Sequence, residues 1–120
     1  MLADSLGNPV HLDDPASLGA LNDFVEGFIS CEARVAHILQ VGPHEPSAIV
    51  QAACGALHMF AESPQGVVNA RPFVDVALRN SQRASEREQR FVAAVWLAGQ
   101  RYLFHPSIFD RFLFDFRNLS

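Results

Sequence analysis

Cys54, His58 and Glu62 follow one another at four-residue steps, and on a helix that spacing stacks their side chains along one stripe. A thiolate, an imidazole and a carboxylate are all zinc ligands, and the i, i+4 step is a chelating geometry. Cys31 or His37 could supply a fourth ligand from a preceding helix. The same cysteines with His37 or His58 would form a thiolate–imidazole pair for nucleophilic catalysis if the first two helices cross suitably. Two arguments weigh against these readings. A lone cysteine on an alanine-rich helix is more often a small buried hydrophobe, and neither thiol stands at a helix start, where its pKa would fall. No glycine-rich phosphate loop, Ser-His-Asp signature or paired-carboxylate helix motif occurs. The expectation is no catalytic residue, no bound metal and no cofactor. A small metal-binding or thiol-dependent enzyme using Cys54 and His58 is the alternative.

A second candidate is apolar. Five of the ten phenylalanines fall at Phe104, Phe109, Phe112, Phe114 and Phe116. On a helix Ile108, Phe109, Phe112 and Phe116 share one face, and Phe114 points elsewhere. Such a helix either closes the open end of the domain or forms a surface for a protein partner or a homodimer. Asp110, Arg111, Asp115 and Arg117 keep its other side wet, which argues against a basic amphipathic membrane anchor. Arg71, Arg79, Arg83, Arg87, Arg90 and Arg101 could grip an acidic peptide along a groove. The plainer reading is a solvated polar face with i, i+4 partners such as Glu86 and Arg90.

The elements that would position these residues are helical. Asp14-Pro15, Glu45-Pro46, Ser63-Pro64 and His105-Pro106 each place a proline ahead of an apolar-periodic run, and proline suits the first helical position. Ser85-Glu86-Arg87-Glu88 is a capping-box pattern. The first helix is predicted from about Pro15 to Gln40, with Leu21, Phe24, Phe28 and Ile38 on its apolar face and Gly42 as a left-handed cap. The second is predicted over about Pro46 to Glu62. Its alanines suggest close approach to a neighbour. The third regular helix begins near Asn69, because Gly66 and Pro72 weaken an earlier start, and it buries Phe73, Val76, Ala77 and Leu78. The fourth runs from about Ser85 to Gln100. It buries Phe91, Val92, Val95, Trp96 and Leu97, with Arg87, Glu88 and Arg90 facing water. No segment alternates apolar and polar residues, so no sheet is predicted. The short connections imply antiparallel neighbours.

These elements make one domain of 120 residues. Residues 1–14 read as an N-terminal extension, 15–100 as a helical core and 101–120 as a Phe-rich helix. With 49% hydrophobic and 18% charged residues the composition is globular. A net charge of −4, with arginines interleaved among Asp75, Glu86 and Glu88, gives no concentrated positive surface for nucleic acid. The opening MLADSLGNPVHL lacks the basic start and continuous apolar stretch of a secretory leader. No apolar run approaches the roughly 20 residues of a membrane span. Two cysteines make no disulfide framework. The expected setting is the cytoplasm.

Helix pairs with small residues at their crossings are the unit of tetratricopeptide solenoids. Ala70, Val74 and Ala77 show the small-large-small spacing of a repeat's second helix, and Leu57 stands where a first-helix leucine would. A more specific set of segments is Gly7-Asn8-Pro9-Val10, ALNDFVEGFISCEARVAHIL from Ala20 to Leu39, ALHMFAES from Ala56 to Ser63, and SEREQRFVAAV from Ser85 to Val95. Over about residues 7–96 the chain resembles the bacterial form of the tetratricopeptide repeat protein 38 family. After Trp96 it departs from the family's continuation. The resemblance implies an all-α, solenoid-like repeat fold of four or five antiparallel helices. It further implies a scaffold role in protein interaction or self-association, with no established catalytic residues.

Overall fold

The computed structural model describes residues 2–30, 33–59 and 64–101. Among these residues the fold is mostly helical, consistent with an all-α class: five α-helices, α1 (Leu18–Ser30), α2 (His37–Val41), α3 (Ala48–Met59), α4 (Pro64–Asn80) and α5 (Glu86–Arg101), preceded by a β-hairpin of two two-residue strands. Three of the predicted starts are visible in their local chemistry. Asp14 accepts from the Ala16 amide ahead of a short 3-10 turn with Pro15 at its first positions, which leads into α1. Pro64 begins α4. Ser85 and Glu88 satisfy each other's backbone amides, with Ser85 N donating to Glu88 Oε1 at 3.0 Å and Glu88 N to Ser85 Oγ at 3.2 Å.

Several expectations are corrected. A sheet exists, though a minimal one: β1 (Leu2–Ala3) pairs antiparallel with β2 (Pro9–Val10), Leu2 opposite Val10. Its turn is held by Asp4, whose Oδ1 accepts from Leu6 N and Asn8 N, and by Gly7 at φ 82°. Two-residue strands are too short to show alternation. The predicted first helix is not continuous. Beyond α1 the chain returns alongside it, so that Arg34 reaches Glu26 at 3.1 Å and His37 reaches Asp23 at 2.8 Å. On one straight helix residues 14 apart would be about 21 Å distant. Gly42 is right-handed at φ −47°, not a left-handed cap. Its lack of a side chain serves packing instead, since a Cβ there would lie 2.8 Å from the Cys54 sulfur.

α4 starts at Pro64 rather than near Asn69 and runs through Pro72. Pro72 withholds the N–H that Val68's carbonyl would accept, but Val68 is on the exposed side, where water can serve. The tolerated position explains the longer helix.

The core is built on α3. Ala48, Ile49, Val50, Ala52, Ala53, Cys54, Ala56 and Met59 are all buried, so this helix is enclosed on every side rather than amphipathic. It packs against α2, α4 and α5. The α3–α4 approach is close because Gly55 faces α4: a Cβ at Gly55 would lie 2.9 Å from Val74 Cγ2. Ala70, Val74 and Ala77 form α4's buried stripe. α5 contributes Phe91, Val92, Val95 and Ala98, and Phe24 of α1 lies tilted between Phe28 and Phe91 at 4.8 and 6.4 Å. Each such phenylalanine contributes about 2–3 kcal/mol through burial.

Candidate functional site

Two buried carboxylates tie the N-terminal arm to the helices. Glu45 accepts from Asp13 N at 2.9 Å, Asp14 N at 2.8 Å and Ser47 N at 3.3 Å. Glu88 accepts from His11 N at 3.1 Å, from His11 Nδ1 at 2.8 Å and from Ser85 N. Both residues are almost fully enclosed, at 1% and 0% exposure. Buried carboxylates are tolerable only when their lone pairs are satisfied, and here each has three donors. Glu88 was expected to face water; its partner His11 lies 77 residues away and is invisible to local periodicity. The signal available in the sequence was the capping box itself, which already turned Glu88 back toward the start of α5.

An imidazole held through Nδ1 by a carboxylate is the orienting half of a general-base pair. The other half is missing among the described residues. A cavity of about 130 Å³ beside this pair is lined by His11, Asp13, Ser47, Asn80 and Arg83. The buried Ser47 hydroxyl, the nearest thing there to a nucleophile, makes no hydrogen bond. The Glu88 bonds to His11 and the Glu45 bonds to Asp13 and Asp14 therefore act together as a clasp on residues 11–14.

Cys54 and His58 have separate partners. The Cys54 sulfur contacts the Ile38 carbonyl oxygen at 3.5 Å, and the His58 ring stacks on Phe73 with centroids 5.3 Å apart. Burial pushes the Cys54 thiol up to about 12, opposite to what a nucleophile requires. Among the described residues no three His, Cys, Asp or Glu side chains gather to hold a metal ion. Cys31 and Glu62 lie outside the described residues, as do Ile108, Phe109, Phe112 and Phe116.

Four of the arginines have separate surroundings among the described residues. Arg71 borders a groove on α4, Arg83 lines the small cavity, Arg87 lies 3.9 Å from Asp4 and Arg90 pairs with Glu86. No family model matches this chain, and no curated protein and no solved structure matches it. Its surface is therefore the remaining guide. Among the described residues no helix is long and apolar enough to cross a membrane.

Among the described residues a groove of about 230 Å³ lies between α4 and α5. Met59, Val67, Ala70, Val74, Val95 and Trp96 line it, and Arg71, Asp75 and Gln100 stand at its polar edge. Trp96 and Leu97 were expected in the core but are 42% and 45% exposed, and Leu78 is 39% exposed. The reason is angular. On α5 the residues facing α3 are Phe91, Val92, Val95 and Ala98, and Trp96 and Leu97 lie about 100° and 200° around the helix from Val95. α3 covers only one of those directions. On α4, Leu78 is likewise one step off the Ala70–Val74–Ala77 stripe.

Proposed function

We propose that this chain is a helical-repeat scaffold module, tetratricopeptide-like in its array of antiparallel helices, that binds another protein or a second copy of itself. The observation that carries the reading is the α4–α5 groove, mixed in polarity, with half-exposed Trp96 on its wall. A half-exposed tryptophan on the wall of a preformed groove is the kind of side chain that anchors interface centres. Close helix contacts through Gly55 and the alanines of α3 support the resemblance to repeat proteins. A cytoplasmic setting and a partner other than nucleic acid accord with the free buried thiol of Cys54 and the net charge of −4.

Site-specific photocrosslinking tests the reading. Benzophenone replaces Val68, exposed on α4, or as a control Glu86, exposed at the start of α5. An adduct with a defined polypeptide or second copy from position 68 alone, lost on Trp96→Asp, is the expected result. Equal adducts at both positions, or none from 68, overturn it.

A further inference from the structure

We infer that the cavity at the start of α3 binds a small zwitterion, a free α-amino acid no larger than alanine or serine, independently of the α4–α5 groove. Three parts of the chain meet there: His11 and Asp13 of the arm, Ser47 and Ala48 at the head of α3, and Asn80 and Arg83 where α4 gives way to a 3-10 turn. The head of α3 lacks acceptors. The amides of Ala48, Ile49 and Val50 precede the helix's own hydrogen bonds, and among the described residues no side chain caps them. Ser47 stands in the capping position, since its carbonyl accepts from Gln51 N at 3.1 Å. Its hydroxyl has no hydrogen-bond partner, although the residue is only 7% exposed. A buried hydroxyl left in this way is uncommon and requires a cause. A ligand carboxylate at the helix head would accept from it and from the first-turn amides, where the helix dipole also favours negative charge.

The charges around the cavity select the ligand. Arg83 is an exposed cation and Asp13 an exposed anion, and among the described residues neither side chain has an ion-pair partner. The Arg83 guanidinium would pair with the ligand's carboxylate. Two uncommitted acceptors accompany the Asp13 carboxylate. His11 Nδ1 is committed to Glu88, leaving Nε2 as an acceptor on the neutral ring, and Asn80 donates its amide to the Pro46 carbonyl at 2.6 Å, leaving Oδ1. An ammonium group supplies the donors that these three groups lack. Glu45, bonded to the amides of both Asp13 and Ser47, adds a second negative charge beside the cavity. A phosphate would meet two negative side chains against one arginine, whereas a zwitterion carries no net charge. Size agrees, because about 130 Å³ lies well below the roughly 300 Å³ at which drug-sized pockets begin.

Amide-resolved NMR of the full-length chain, titrated with L-alanine at constant pH and ionic strength, tests the site. Saturable shifts of the Ala48, Ile49 and Val50 amides at millimolar alanine are expected. Acetate and methylammonium chloride each carry one of the two charges, and each should bind roughly tenfold more weakly. Arg83→Ala and Asp13→Asn alter exposed side chains and should leave the fold intact, while each raises the Kd for alanine by roughly tenfold. Ser47→Ala, which removes only the unpartnered hydroxyl, should weaken binding by less. Three results overturn the inference: no saturable shift with alanine, acetate binding as tightly as alanine, or an affinity for alanine unchanged by any one of the three variants. The scaffold reading stands or falls separately, on the adduct from position 68.

Discussion

The His11 imidazole donates from Nδ1 to Oε1 of Glu88 at 2.8 Å, joining an arm residue to a completely buried carboxylate 77 positions later. The direction of donation follows from the acceptor: an ionised carboxylate can only accept, and Glu88 takes the His11 amide on its other oxygen. Glu88→Gln keeps the volume but places an amide donor against one of these N–H groups. The expected loss is about 1–3 kcal/mol of stability, the usual cost of an unsatisfied buried polar group. Urea unfolding measures it, and hydrogen exchange should show the amides of residues 11–14 losing protection before the rest. Uniform exchange across the chain would contradict the clasp.

Why this link escaped the sequence while much of the fold did not is a matter of range. Helix starts are written within three or four residues: Asp14 caps its own neighbour, and Ser85 and Glu88 complete each other. Burial of Phe24, Val50 or Val95 is likewise legible from 3.6-residue periodicity. Trp96 and Leu97 were misplaced because α5 has apolar residues on more sides than its neighbour covers, and periodicity cannot count neighbours. Of the candidate site, the aromatic and its helix were legible. The groove was not, because it depends on how α4 and α5 sit over Met59.

Gly55 and Val74 pose a contest between two opposing effects. Alanine at position 55 would favour helix by about 1 kcal/mol through lost chain freedom. Its methyl would stand 2.9 Å from Val74 Cγ2, closer than carbon atoms pack. Both helices are buried there, so relief requires moving backbone, and overpacking of this kind costs about 1–3 kcal/mol. Gly55→Ala should therefore destabilise. Adding Val74→Ala should recover part of the loss, giving a favourable coupling in a double-mutant cycle. Additive effects would show that the two helices do not meet at this point.

The raised pKa of Cys54 makes stability fall in alkali. Burial disfavours the thiolate, so the folded chain holds its proton up to about 12, against an ordinary 9.0. Above the ordinary value the unfolded chain has lost that proton while the fold retains it. The contribution is thus complete below pH 9 and declines as pH rises toward 12, at roughly 1 kcal/mol per pH unit. Comparing unfolding of the unaltered chain and Cys54→Ala across this range isolates it from other titrating groups. Peptide-resolved alkylation at pH 8 should leave Cys54 unlabelled until the protein is unfolded. Rapid labelling in the native state, or stoichiometric zinc lost on Cys54→Ala or His58→Ala, would instead favour the thiol or metal alternative.

Phe91 and Trp96 stand five residues apart on α5 and should respond oppositely to truncation. Phe91 is 2% exposed and packs on Phe24, so Phe91→Ala removes a large buried ring and leaves a cavity among α1, α3 and α5. A loss of about 3–5 kcal/mol is expected, a large share of the stability of a domain this size. Trp96 is the larger side chain, but nearly half of it already meets water and its ring lines an open groove. Trp96→Ala should therefore cost much less in urea unfolding than Phe91→Ala. The two variants separate fold from surface: Phe91→Ala weakens any interaction only by unfolding the chain, whereas Trp96→Ala should abolish the Val68 adduct in a protein whose circular dichroism is unchanged. If Trp96→Ala proved as destabilising as Phe91→Ala, Trp96 would be a core residue and the groove would have no claim to be a binding surface.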